Sequence, residues 1–179
     1  MQRLRILIIA CLILALGVSH PSADTRIVPC EGPVTTIIVV RHADRAGTAD
    51  SLSTAGVERA HDLAQAAKMA KLQAIYVTDT RRSRDTAAPA AAMAHVTPEV
   101  YEAKGYEALI KRILKDHAGG SVLIVGHSNT VPDIIRAAGG PEVDAIGENE
   151  YTGLYVVAVT GTPICGATLV QLQYGKTAP

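Results

Sequence analysis

The chain has 179 residues, enough for one domain with a full core and too few for two. Its 17 basic and 17 acidic side chains give a formal net charge of zero, which argues against nucleic-acid and acidic-lipid binders, since these carry a basic excess. With six Tyr, no Phe and no Trp, we expect an aliphatic core and no site that stacks bases or sugars on aromatic rings.

The N-terminal pattern is typical of a secretory signal peptide. Arg3 and Arg5 form a short basic start, and a nearly continuous apolar stretch follows over residues 6–18. This stretch is too short for a comfortable membrane span, so we expect cleavage, after either Ser19 or Ala23.

We therefore predict a signal peptide over residues 1–23 and one exported domain over residues 24–179, periplasmic or secreted. No stable membrane association is expected after cleavage. Two alternatives stay open, namely lipidation at Cys11 and an uncleaved membrane anchor.

Export changes what the cysteines indicate. Cys11 leaves with the signal, and two cysteines in an oxidising compartment are more often paired than free. We predict a Cys30–Cys165 disulfide between the N-terminal arm and a late turn, with two free thiols as the alternative.

Strands and helices are predicted to alternate along the rest of the chain. The strands are expected over residues 35–40, 74–77, 98–101, 121–125, 152–159 and 168–174. The helices are expected over residues 54–71, 81–95, 106–117 and 129–138. Ser53 is the expected N-cap of the first helix, and Pro132 lies in the first turn of the last. This order predicts an α/β fold, a three-layer α/β/α sandwich with a mostly parallel mixed sheet and helices on both faces.

Two of the buried strands end in a histidine. One runs into Arg41-His42 and the other into Gly126-His127. Since ligands of open α/β sheets bind at the carboxyl ends of the strands, both histidines are expected to face one crevice. A third strand end leads into a helix that begins with Arg81, Arg82 and Arg84, and arginines at a helix N-terminus favour phosphate. Together these features indicate phosphate chemistry.

Four motifs resemble, in order and spacing, those of the histidine phosphatase superfamily, which includes phosphoglycerate-mutase-like and acid-phosphatase-like branches. They are Arg41-His42-Ala43, Leu52-Ser53-Thr54-Ala55-Gly56 with Arg59-Ala60, Arg82 four residues before Thr86-Ala87, and Gly126-His127. The resemblance spans about residues 36–159, nearly the whole expected domain.

The resemblance implies a phosphatase that hydrolyses phosphomonoesters through a transient phosphohistidine, with no metal or other cofactor and with a small phosphorylated substrate as its partner. His42 would be the nucleophile, which requires a neutral imidazole. Arg41 and Arg82 would clamp the phosphoryl oxygens, and His127 would donate to one of them. The sequence shows no compact His/Asp/Glu cluster with metal-ligand spacing.

Further phosphate contacts are expected from two positions. Arg45 lies three residues after His42, where the acid-phosphatase branch has an arginine, with a solvated loop charge as the alternative. Ser128 would offer its backbone N–H or hydroxyl, or simply cap a helix. The four-residue offset to Thr86 favours Arg82 as the phosphate ligand. Arg81 and Arg84 are therefore expected on the helix surface.

The sequence leaves open which residue would act as the general acid. Glu102 lies roughly where the mutase-like branch has a glutamate, but the aromatic-rich continuation usual there is missing. The acid-phosphatase branch has an Asp after the second histidine, where this chain has Ser128. Asp44 is a lesser candidate, and an enzyme without a dedicated acid would prefer good leaving groups such as phosphohistidine, acyl phosphates or aryl phosphates.

One function of another class competes with the phosphatase. A phosphate-binding or interaction domain would keep the pocket without catalysis, although a binder has no need of a nucleophile at His42. A cytosolic mutase is disfavoured by the predicted export.

Overall fold

A computed structural model describes residues 30–176, so the predicted signal peptide and Cys11 lie outside the described residues. The elements follow the predicted order. The strands are β1 Val34–Arg41, β2 Leu72–Val77, β3 Glu99–Val100, β4 Ser121–Gly126, β5 Gly153–Thr160 and β6 Gly166–Gln173. The helices are α1 Thr54–Ala67, α2 Arg81–Ala94, α3 Tyr106–Asp116 and α4 Val131–Ala137, with a short 3-10 helix at Lys68–Ala70.

The six strands form one mixed sheet in the order β3-β2-β4-β1-β5-β6. The first four strands run parallel to one another, β5 is antiparallel to β1, and β6 is antiparallel to β5. In the β1–β4 pair Arg41 lies opposite Gly126, so the residue that follows each strand, His42 and His127, reaches the same edge of the sheet. The mostly parallel sheet is confirmed.

Each face of the sheet packs against two helices. Ile37 and Val39 point into a layer shared with α3 and α4, whereas Ile38 and Val40 point into a layer shared with α1 and α2. This alternation is the two-residue period of a strand that is buried on both faces. The three-layer sandwich and the mainly aliphatic core are therefore confirmed, with Tyr76 as the largest fully buried side chain.

The predicted helix ends differ by more than one residue at two places. The first helix ends at Ala67 and tightens into the 3-10 turn, and Lys71 then takes a left-handed conformation (φ 51°) before β2. The last helix begins at Val131 rather than at residue 129, because His127 N–H donates to Thr130 Oγ1 at 2.9 Å and closes a separate turn. The predicted N-cap is confirmed, since Ser53 Oγ accepts from Gly56 N–H at 3.1 Å.

The predicted disulfide is present. Cys30, in the arm before β1, is bonded to Cys165, in the turn between β5 and β6, with 5.6 Å between their Cα atoms. The disulfide ties the start of the described chain to the β5–β6 turn, at the opposite end of β1 from His42.

None of the helices within residues 30–176 has the length and apolar character that crossing a membrane requires.

Candidate active site

The two strand-end histidines face each other. Their ring centroids are 5.2 Å apart and the rings meet edge to face at 66°. His42 N–H also donates to the Gly126 carbonyl at 2.9 Å, which extends the β1–β4 pairing by one residue. The sheet register therefore brings together two residues that lie far apart in the sequence.

His42 is held in one tautomer. Its ring is 4% exposed, and Nδ1 lies 2.8 Å from the carbonyl oxygen of Ala43. Since a carbonyl only accepts, Nδ1 carries the proton and Nε2 keeps a free lone pair. Burial lowers the pKa of His42 to about 4, the charges of His127, Arg82 and Arg41 act in the same direction, and the Ala43 hydrogen bond opposes them. The ring is therefore neutral at pH 7, as a nucleophile requires.

His127 is held from two sides. Its Nε2 lies 2.9 Å from Thr78 Oγ1, and its Nδ1 lies 3.4 Å from a terminal nitrogen of Arg82. Burial lowers the pKa of His127 to about 4, and the charges of Arg82 and Arg41 add to this effect. The second ring is therefore also neutral at pH 7.

Arg82, which contacts His127, is held in place by an acidic residue that sequence reasoning missed. Its guanidinium donates to Asp50 at 2.7 Å, and Asp50 also accepts from the backbone N–H of Arg81 at 2.9 Å, at the start of α2. Hydrogen bonds from these groups lower the pKa of Asp50. The other two arginines lie on the surface as predicted, with Arg81 paired to Asp85 and Arg84 paired to Asp79.

Arg41 is held by a loop that sequence reasoning also missed. One terminal nitrogen donates to the carbonyls of Gly147 and Glu150 at 2.7 and 3.2 Å, and the other lies 3.6 Å from the Glu148 carboxylate. The guanidinium stacks 4.1 Å from the ring centroid of Tyr151, whose ring is 6.1 Å from that of His42.

Both arginines keep an unused donor. The Nε–H groups of Arg41 and Arg82 are buried and have no acceptor within the described part of the chain. A buried cationic donor without an acceptor is costly. The four side chains together form a site suited to a phosphoryl group.

The structure places the other predicted residues as follows. Arg45 is half-buried and close enough to Arg41 for its charge to lower the pKa of Arg41. Ser128 is half-buried in the turn after β4, and Glu102 is exposed in the turn between β3 and α3. Asp44 forms an ion pair with Arg59 at 2.6 Å. The roles assigned to Arg45, Ser128 and Glu102 stay predictions.

Several motif residues shape the loop after His42. A Cβ at Gly56 would lie 2.2 Å from the Asp44 carbonyl oxygen, so only glycine permits this close approach. Arg59 is 5% exposed and bonds both the Asp44 carboxylate and the Tyr174 carbonyl. Thr86 accepts from Ala43 N–H at 2.9 Å and donates to the Arg82 carbonyl at 2.7 Å, which joins α2 to this loop.

Two of the missed residues had a signal in the sequence. Thr78 directly follows the predicted second strand, at the same sheet edge as the histidines. Tyr151 directly precedes the strand predicted over residues 152–159, and because β5 runs antiparallel to β1, the start of β5 also lies at that edge. Asp50 had no such signal, because it reaches α2 from a loop 31 residues earlier in the chain.

Comparison with protein families gives one match, to the histidine phosphatase superfamily (branch 1), over residues 37–105. This match contains Arg41, His42 and Arg82, and the structure adds His127 to them. The match over residues 37–105 supports the superfamily that the four motifs resemble. No curated protein matches its sequence.

Several solved structures have a similar fold but low sequence identity to this chain. The protein histidine phosphatase SixA, complexed with tungstate, has a TM-score of 0.61 at 17% identity, covering 77% of this chain and 96% of its own. A mycobacterial glucosyl-3-phosphoglycerate phosphatase has a TM-score of 0.66 at 14% identity, covering 79% of this chain and 100% of its own. A phosphoserine phosphatase from Entamoeba histolytica, in complex with 3-phosphoglyceric acid, has a TM-score of 0.57 at 16% identity, with 80% and 98% covered. These similarities show the shared fold.

The two ring pKa values predict how the stability of this protein responds to acid. We expect His42 and His127 to titrate with midpoints near 4 in the folded protein, against 6.5 for an unperturbed ring. The unfolded chain then binds protons between these values and the folded chain does not, so the free energy of unfolding falls as the pH falls from 6.5 to 4.

Ring resonances followed by NMR against pH, with His42→Asn for assignment and the urea-unfolded chain as the reference, measure both midpoints. Folded midpoints at the unfolded value would contradict the described burial. A free energy of unfolding that does not change over this pH range would contradict the linkage.

Proposed function

We propose that this chain is a metal-independent phosphatase that hydrolyses phosphomonoesters through a phosphohistidine on His42. The observation that carries the proposal is the fixed His42 ring, with Nδ1 bonded to the Ala43 carbonyl and Nε2 free beside His127. In the first step Nε2 forms a bond to phosphorus as the bond to the leaving group breaks. In the second, water attacks phosphorus, inorganic phosphate leaves, and His42 returns to its neutral form.

Fixed positive charge supports both steps. Arg41 lies at the end of β1 and Arg82 lies in the first turn of α2, and each is held by protein groups before any ligand arrives. Donors that are already oriented stabilise the charge on the transferring phosphoryl group without reorganisation during the reaction. His127 adds a third donor when its Nδ1 carries a proton.

The carboxylates around the site favour a particular class of leaving group. Asp44 is paired with Arg59, Asp50 with Arg82, and Glu148 lies beside Arg41. The hydrogen bonds from Arg81 and Arg82 lower the pKa of Asp50, whereas a general acid needs a raised pKa. Glu102, the predicted acid, is exposed to solvent.

The proposed substrates are therefore small phosphorylated molecules whose leaving groups depart without a strong enzyme acid, such as aryl phosphates, acyl phosphates and phosphoramidates. The names of the related structures support phosphoryl substrates in general, since they include a protein histidine phosphatase and phosphatases of two small phosphorylated molecules. SixA also binds tungstate, an oxyanion that resembles phosphate.

A leaving-group series tests this function. Residues 24–179 are assayed in EDTA with substituted phenyl phosphates of increasing phenol pKa and with glycerol phosphate as the alkyl ester. We expect turnover without metal and a steep fall in kcat/KM as the leaving-group pKa rises. Equal rates on aryl and alkyl esters would show a working acid and would make Glu102→Gln the next variant. Binding of inorganic phosphate without turnover of any ester would favour the phosphate-binding domain instead.

We further propose that the protein is exported. The N-terminal pattern supports export, and so does the Cys30–Cys165 disulfide, since disulfides persist mainly in oxidising compartments. Fractionation of cells that express the full chain, with N-terminal sequencing of the mature protein, tests both the compartment and the cleavage site. Full-length protein in the cytosol would contradict this proposal.

A further inference from the structure

Thr78 contacts the ring of His127 at Nε2. It follows β2 directly and is only 2% exposed. Its Oγ1 is 2.9 Å from His127 Nε2 and 2.8 Å from Ser83 Oγ, to which it donates. The buried hydroxyl therefore lies between the ring and the first turn of α2.

The opposite nitrogen of the ring fixes the direction of this contact. Arg82 approaches Nδ1 at 3.4 Å, and a guanidinium only donates. In the empty site Nδ1 is thus the acceptor, Nε2 carries the proton, and Thr78 accepts from Nε2 while donating to Ser83. The two contacts specify one tautomer and one ring orientation.

A phosphoryl ligand changes what Nδ1 must do. Nδ1 is the nitrogen on the Arg82 side, and it must carry a proton to donate to a phosphoryl oxygen. Nε2 then either keeps its own proton, as in an imidazolium, or has none, as in the other neutral tautomer. A hydroxyl accepts in the first case and donates in the second, where its one proton turns from Ser83 Oγ to Nε2, so the contact between Thr78 and His127 survives in both.

We propose that Thr78 is a positioning residue for catalysis, whose hydroxyl holds His127 Nε2 and thereby keeps Nδ1 directed at the phosphoryl group beside Arg82. This inference rests on the proposed phosphatase function. Thr78 is then required for its hydroxyl and not merely for its volume, because a valine would fill the space and leave His127 Nε2 without this partner.

Activity measurements compare three variants. Thr78→Val is expected to lower kcat by about 10- to 100-fold, as loss of a residue that orients a catalytic group does, with a smaller change in KM. Thr78→Ser keeps the hydroxyl and is expected to retain most of kcat. Thr35→Val is the matched control, since Thr35 is equally buried at 2% and accepts a hydrogen bond from Gly119 at the other end of β1, so its loss should leave kcat unchanged. Equal kcat in Thr78→Val and wild type would overturn the proposal.

A spectroscopic measurement tests the same inference without activity. In ¹⁵N-histidine-labelled wild-type protein at pH 7, we expect His127 to show a protonated Nε2 and a bare Nδ1, and Thr78→Val to lose this single pattern. A protonated Nδ1 in the empty wild-type site, or an unchanged pattern in a folded Thr78→Val, would overturn the role of Thr78. Failure of the phosphatase proposal appears separately, as absence of turnover in the wild type.

Discussion

His42→Ala is expected to lower turnover of aryl phosphates by at least about 10⁴-fold, the scale of loss when a covalent nucleophile is removed. The described geometry explains the size of this effect, because His42 Nε2 is the free nitrogen at the centre of the site and its ring is neutral at pH 7. Binding of phosphate analogues should largely remain, since Arg41, Arg82 and His127 are still present. Steady-state kinetics in EDTA and calorimetric titration with vanadate measure the two properties.

His61→Ala is the matched control, because His61 is an exposed histidine on α1, and its removal should change neither property. Thermal melting of both variants shows whether the fold persists. Turnover by a folded His42→Ala variant at the wild-type rate would contradict the proposed mechanism, and loss of vanadate binding together with turnover would point to a collapsed site.

Arg82→Ala should have the second largest effect. We expect kcat/KM to fall by about 10²- to 10³-fold, as when one fixed donor to a transition-state oxyanion is removed. Unlike His42→Ala, this variant should also bind vanadate more weakly, because Arg82 supplies charge to the bound anion as well as to the transition state. Arg82→Lys should recover part of the loss, since it restores the charge but not the planar fork of donors.

Arg84→Ala is the control for this experiment. Arg84 lies on the same helix, is half exposed and pairs with Asp79 rather than with a site residue, so kcat/KM should stay near the wild-type value. An effect of Arg84→Ala as large as that of Arg82→Ala would mean that general surface charge, and not the described contact with His127, supports catalysis.

The sheet edge could be predicted from the sequence because its causes are local. Unbroken β-branched runs predicted β1 and β4, and both runs end at a histidine. Parallel neighbours place their carboxyl ends side by side, so the proximity of His42 and His127 followed from strand type alone.

The partners of the arginines could not be predicted in the same way. Asp50 reaches Arg82, and the loop carbonyls of Gly147 and Glu150 reach Arg41, only through the folded arrangement of segments far apart in the chain. Such contacts depend on loop conformations that periodicity does not specify. The resemblance to the superfamily singled out Arg41 and Arg82, and the structure shows what holds them.

The predictions of two helix boundaries were wrong for a related reason. Hydrophobic spacing extended the first helix through residue 71, but Lys71 adopts a left-handed conformation that ends it and allows β2 to begin at Leu72. At α4, a side-chain contact between Thr130 and the His127 backbone delays the helix start. Both boundaries, one a helix end and one a helix start, follow from the geometry of single residues. A hydrophobic pattern averaged over many residues does not resolve this geometry.

Trapping the phosphorylated intermediate tests most directly whether His42 is the nucleophile. Wild-type protein is mixed with excess aryl phosphate, quenched in alkali during turnover, digested and analysed by mass spectrometry for the modified residue, with His42→Ala treated in parallel. We expect a phosphoryl group on His42 that forms and disappears at rates compatible with kcat and is missing from the variant. A phosphoryl group that forms on another residue at the rate of turnover would contradict this expectation.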